Sequence, residues 1–222
     1  NLLFDQARAN GARIHTDSWG SDVSGQYTSN SRELDEFMWD CDDMLVLFSA
    51  GNSGRDTNPT NGVIDGVSIG APGTAKNCLT VGAAESARPS GSGGYSSYAW
   101  GIGGWASYYP SNPVNGDLIS TPWDGTNRGM AAFSSRGPCA DGRIKPDIVA
   151  PGTDIISCRS RGTLAGTLWG TGSAVLNNSA SNHYTFSGGT SMSTPLTAGA
   201  AGVARQYLAG MQGMTNPSAA ML

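Results

Sequence analysis

Met44-Leu45-Val46-Leu47-Phe48 is an unbroken apolar run ending on Ser49. A strand buried on one face alternates apolar and polar residues. One without alternation is covered on both faces, as in parallel sheets flanked by helices. The neighbouring segments agree. Leu2, Leu3, Phe4 and Ala7 fall on helical spacing, and Asn10-Gly11 ends that helix. Residues 12–18 predict a short strand. Residues 30–42 predict a second helix, with Asn30 and Glu33 as a capping box and Leu34, Phe37, Met38 and Cys41 as its apolar face. Helix–strand–helix–strand order predicts an α/β fold: a doubly wound, mostly parallel sheet with helices on both faces. Further strands are expected at 66–69, 79–83, 132–134, 148–149, 154–158 and 183–187.

In such a sheet, ligands bind beyond the C-terminal ends of the strands. Two motifs fall there: Asp17-Ser18-Trp19-Gly20 and Ser49-Ala50-Gly51-Asn52-Ser53-Gly54. A third, Ser187-Gly188-Gly189-Thr190-Ser191-Met192-Ser193-Thr194-Pro195, precedes a run of small helix-forming residues. Gly188-Gly189 permits a sharp turn. Pro195 is expected in a first helical turn, where its missing N–H has no partner. Ser191 then sits at a helix N-terminus, where free N–H groups favour negative charge. The Asn52 amide, on a turn after a buried strand, is a candidate donor to a developing oxyanion. Taken singly, a glycine–serine turn and a turn asparagine are also ordinary structural features.

The net charge of −4 and the lack of a basic stripe argue against a nucleic-acid partner. No run of apolar residues is long enough to span a membrane. With 222 residues, 38% hydrophobic and 14% charged, the chain has enough apolar content for a sizeable core. Residues 86–130 form a long stretch rich in Gly, Ser, Tyr and Trp. It is expected to be an insertion, either packed on itself or touching substrate as a rim. Residues 160–182 are a second irregular stretch, with a glycosylation sequon at 177–179. Cys41, Cys78, Cys139 and Cys158 lack metal-type spacing, so they are buried thiols or two disulfides. If paired, Cys41–Cys78 and Cys139–Cys158 are expected. Cys41 and Cys78 each precede a strand at one end of the sheet, and the other two flank the strands around Ala150-Pro151-Gly152.

Together the three motifs resemble those of the subtilisin-like serine peptidases. Gly70-Ala71-Pro72-Gly73, Phe133-Ser134-Ser135-Arg136-Gly137-Pro138 and the run from Ile144 to Gly152 also resemble segments of that family. The resemblance covers essentially the whole chain outside the aromatic insertion, and looks closest to the oxidatively stable alkaline proteases of bacilli. It implies a secreted serine endopeptidase acting on protein or peptide substrates. Ser191 is then the nucleophile, and Asn52 with the Ser191 N–H forms the oxyanion hole. Ser18, Trp19 and Gly20 pair with an extended substrate. Gly51 lines the first specificity pocket, Gly70 lies at its base with a cis peptide before Pro72, and Thr190 belongs to the substrate-binding set. With no carboxylate among those walls, large uncharged side chains are the expected preference. The resemblance implies no cofactor for the chemistry and allows structural calcium. Asp117, Asp124 and Asp141 are candidate ligands by chemistry alone.

The family's triad also needs an Asp in an Asp-Thr/Ser-Gly turn and a His in a His-Gly-Thr helix start. Neither is present, and His15 and His183 lack that context. The expectation is therefore a partial catalytic domain, the C-terminal portion, with its N-terminal strands, Asp and His supplied from outside residues 1–222. Two alternatives stay open. One is a non-catalytic peptide-binding module. The other is a sedolisin-like acid peptidase, disfavoured because sedolisins place an Asp where Asn52 stands.

Overall fold

The computed structural model describes residues 2–59, 61, 63–86, 129–153, 155–162 and 183–222. Most of the aromatic insertion, the sequon, Asp117 and Asp124 lie outside the described residues. The elements are α1 (Leu2–Ala9), β1 (Ile14–Asp17), α2 (Ser29–Asp40), β2 (Leu45–Ser49), β3 (Leu79–Ala84), β4 (Ile148–Pro151), β5 (Ile155–Cys158), β6 (Tyr184–Ser187) and α3 (Thr190–Met211), followed by a 3-10 turn at Ala219–Met221. β1, β2, β3 and β4 form one sheet in that order, every pair parallel. β5 and β6 form a separate antiparallel pair.

The apolar run around β2 is covered as its lack of alternation requires. Successive side chains point to opposite faces. Met44, Val46 and Phe48 meet Phe4 of α1 and Leu34, Phe37 and Met38 of α2. Leu45 and Leu47 join Val81, Ala198 and Ala201 on the other face, beneath α3. Phe48 and Leu47 are fully buried, and burial of each such side chain stabilises by about 1.5–3 kcal/mol. The outer side of α3 is different. Leu196, Val203, Tyr207 and Met211 recur at helical spacing and remain exposed among the described residues.

Several local expectations change. α2 begins after Thr28, whose N–H donates to Ser31 Oγ at 3.4 Å, so the cap pair is Thr28 and Ser31 rather than Asn30 and Glu33. The winning feature is tertiary: Ser31 is fully buried and bonds Thr74 Oγ1 at 2.8 Å. Residues 66–69 are not a strand. Their backbone is used by loops, with Ser68 N–H donating to Arg136 O at 2.8 Å and Gly25 N–H to Ile69 O at 3.0 Å. Residues 132–134 form a turn closed by Ser134 N–H on Ala131 O at 2.9 Å.

All four cysteines are free thiols, contrary to the expected bridges. Cys78 is buried, and its Sγ lies 3.5 Å from Thr80 Oγ1. Burial pushes its thiol pKa up. Cys139 packs with Ala50 and Ile69, whereas Cys158 lies exposed on β5. Flanking the same chain turn therefore did not make these two neighbours.

Two buried carboxylates hold the elements together. Asp35 of α2 accepts the N–H groups of Lys76 and Asn77 at 2.8 and 2.7 Å and the Tyr27 hydroxyl at 2.8 Å. Burial and that hydrogen bond raise the Tyr27 pKa to about 12. Asp43 joins α1, the start of β1 and the C-terminal segment. Arg8 Nε reaches it at 3.0 Å, Arg13 Nε at 2.8 Å and Asn216 Nδ2 at 3.2 Å. Burial pushes the Asp43 pKa up, but hydrogen bonds from Arg8 and Asn216 and the charge of Arg13 outweigh it, and the pKa is lowered.

A pKa lower in the folded than in the unfolded state stabilises the fold above the ordinary carboxylate range, near 4. That stabilisation is lost as pH falls through the folded value. Asp43→Asn is expected to destabilise by about 1–3 kcal/mol at neutral pH. The difference from the parent should shrink below pH 4 when urea midpoints are compared across pH. A difference that persists undiminished in acid would contradict the assignment.

Candidate active site

The strand ends converge on one cleft of about 300 Å³, lined by the predicted Ser18, Trp19, Gly20, Gly51, Asn52, Gly70, Thr190 and Ser191. β1 delivers Ser18–Gly20 and β2 delivers Gly51 and Asn52, both from their C-terminal ends. Gly70 comes from the loop between β2 and β3, and α3 brings Thr190 and Ser191 at its N-terminus. The Ala71–Pro72 peptide is cis, as the resemblance implied.

Thr190 ties Asn52 into place. Its N–H and its hydroxyl both donate to Asn52 Oδ1, at 2.9 and 3.0 Å. Gly51 N–H donates to Thr190 Oγ1 at 3.3 Å. The carbonyl end of the Asn52 amide is thus occupied. Its Nδ2 end donates to no group among the described residues and lies 3.4 Å from where a Cβ on Gly189 would stand. Gly51 and Gly189 have φ of +105° and +143°, the region that favours glycine. The two turns that bring the pair together therefore depend on these glycines.

Pro195 departs from expectation. It is the sixth residue of α3, beyond the first turn, and an ordinary residue there would donate to Ser191 O. Ser18 Oγ takes that acceptor instead, at 3.0 Å. Ser191 Oγ in turn donates to Ser18 O at 3.4 Å.

The cleft is not free of charge. Asp22 and Arg55 also line it, with Ser21, Ser49 and Ser53. Ser21 pairs with Ala71 through two backbone bonds of 2.9 and 3.0 Å, which turns the chain back. Asp22 Oδ1 then accepts the Ser53 hydroxyl at 2.6 Å. This corrects the expectation of walls without a carboxylate, on which the preference for uncharged side chains rested. The pairing depends on a loop–loop bridge, for which the sequence around Ser21 carries no local signal. Ser135 supports the same wall by accepting Ser53 N–H at 3.0 Å.

Neither histidine is hydrogen-bonded to Ser191 among the described residues. His15 Nδ1 lies 2.9 Å from Asp17 Oδ2, and its ring stands edge-on to Phe4. His183 is exposed just before β6. Asp141 pairs with Arg143 Nε at 2.8 Å, and that hydrogen bond lowers its pKa. A guanidinium at its carboxylate does not fit calcium ligation. Among the described residues, no cluster of three or more His, Cys, Asp or Glu side chains could hold a metal ion, and no helix is long and apolar enough to cross a membrane.

The family description "Subtilase family" matches residues 3–220. The serine protease/ABC transporter B family protein tagD of Dictyostelium discoideum is 31% identical, over 89% of this chain and 12% of its own length. Serine protease AprX of Bacillus subtilis (strain 168) is 32% identical, over 73% of this chain and 26% of its own. The chain thus spans a small part of these relatives. Among solved structures, the PatG macrocyclase in complex with peptide superposes with a TM-score of 0.50 at 17% identity, covering 98% of this chain and 43% of that one. At that identity the likeness concerns the fold alone.

Proposed function

Because the chain belongs to the subtilase family of serine peptidases, we propose that its cleft is the nucleophile half of a secreted endopeptidase's active site. The convergence of Ser18–Gly20, Gly51–Asn52, Gly70 and Thr190–Ser191 on one cleft carries this reading. Ser191 Oγ attacks the peptide carbonyl, and its proton passes to a base. The carbonyl oxygen, now charged, is met by Asn52 Nδ2 and the Ser191 N–H at the positive end of α3. Substrate lies extended along Ser18–Gly20, with its side chain between that segment and Gly51 and with Gly70 at the base of the pocket. The base and its orienting Asp come from sequence outside residues 1–222, in the order Asp, His, Ser. The exposed apolar stripe of α3 supports this, because a catalytic domain would cover it. The free edge of β1 among the described strands supports it equally. Residues 1–222 are thus part of one catalytic domain, with 86–130 as an insertion.

Labelling tests this. In the longer protein carrying the upstream Asp and His motifs, a fluorophosphonate is expected to modify Ser191, located by peptide mass mapping. Residues 1–222 alone are expected to remain unlabelled and inert towards casein. Modification of another serine would remove Ser191 from the nucleophile's role, and no modification in the longer protein would leave a peptide-binding module as the better description.

A further inference from the structure

Asp17 is a carboxylate that the core of the sheet does not need. It is only 6% exposed and stands in register with Phe48, which packs with Phe4 in the apolar core. A buried carboxylate is costly unless its oxygens are paired. Both are used: Oδ2 faces His15 Nδ1 at 2.9 Å, and Oδ1 accepts the indole N–H of Trp19 at 2.9 Å. Trp19 is 50% exposed and lines the cleft. Its ring also stands edge-on to Phe48, with centroids 5.2 Å apart at 86°. An indole half in solvent on a Ser-Trp-Gly turn would otherwise sample several rotamers. The hydrogen bond and the ring contact restrict it to one, and in that orientation Trp19 lines the cleft.

We infer that Asp17, with His15 behind it, is a positioning residue that pins the Trp19 indole as a fixed wall of the cleft. It thereby sets how strongly the cleft discriminates an aromatic from an aliphatic substrate side chain. The inference rests on the peptidase reading above. A wall held in its bound orientation before substrate arrives loses less freedom on binding, and aromatic pairing rewards a planar partner.

The experiment uses the longer active protein and two peptides that differ only in Phe or Leu before the scissile bond. In Asp17→Ala the preference for Phe over Leu, as a ratio of kcat/KM, should fall about fivefold. The fall should come through KM for the Phe peptide. Asp17→Asn should restore the ratio, because its amide oxygen accepts the indole N–H and its nitrogen faces His15. Trp19→Phe removes the indole donor together with part of the ring and should reproduce the loss, even if Asp17→Ala fails to fold. An unchanged ratio in folded Asp17→Ala or in Trp19→Phe overturns the inference. Equal loss on both peptides in Asp17→Ala also overturns it, in favour of a structural role. Fluorophosphonate labelling of Ser191 checks the peptidase reading separately. Should that reading fail, acrylamide quenching decides the tether by itself, with the Trp19 signal taken as the difference from Trp19→Phe. Quenching should rise in Asp17→Ala, and no rise overturns the tether.

Discussion

Ser191→Ala in the longer protein is expected to lower kcat by about 10⁶-fold, a magnitude carried over from subtilisin. The loss should be chemical rather than structural. The Ser191 hydroxyl makes one long bond, 3.4 Å, to Ser18 O. The stronger link at this point, from Ser18 Oγ to the Ser191 carbonyl, survives the substitution. Thermal stability should therefore stay close to that of the parent. KM should change little, because the cleft walls keep their places and the oxyanion donors remain. What vanishes is the hydroxyl assigned as the nucleophile. Steady-state kinetics on a single peptide, with the unfolding temperature measured alongside, checks both halves. A loss of tenfold or less would remove Ser191 from the nucleophile's role.

Asn52→Ala is expected to lower turnover about 10²–10³-fold with little change in KM, again a magnitude from a subtilisin asparagine. The donor matters only once the substrate oxygen carries charge, so the effect belongs to the transition state. Alanine also removes an acceptor, however. The Thr190 N–H and hydroxyl both donate to Asn52 Oδ1, and Thr190 is fully buried. Losing that acceptor should destabilise the fold by about 1–3 kcal/mol. Asn52→Asp separates the two effects. It keeps an oxygen for Thr190 and lacks the amide donor, so stability should recover while turnover does not. Turnover that recovers with stability would show that Asn52 only anchors Thr190.

The sheet was legible because its cause is local. An apolar run without alternation states that both faces of β2 are covered, and helical spacing on either side identifies what covers one of them. The cleft was legible in part because parallel strands deliver their following loops to one end, so the Ser18 and Asn52 turns converge, whereas Ser191 follows β6 of the separate antiparallel pair and was legible only from its motif. What escaped depends on contacts between loops. Residues 66–69 are apolar enough for a strand, yet their backbone groups bond the turn at Arg136 and Gly137. Asp22 enters the cleft only because Ser21 pairs with Ala71. The Thr28–Ser31 cap prevails because Ser31 has a buried partner in Thr74, which no short-range pattern around α2 contains.

The proline in α3 has a consequence for what the cleft can read. By offering no hydrogen to Ser191 O, it leaves an acceptor that draws in the hydroxyl of Ser18, 173 positions away in sequence. That hydroxyl is then committed, so on this wall Ser18 presents an incoming peptide with main-chain groups and no polar side-chain donor. Every residue type except proline carries the same main-chain groups. On the proposed peptidase reading, recognition along Ser18 is therefore indifferent to sequence, and selectivity falls to the neighbouring indole and to the pocket floored by Gly70.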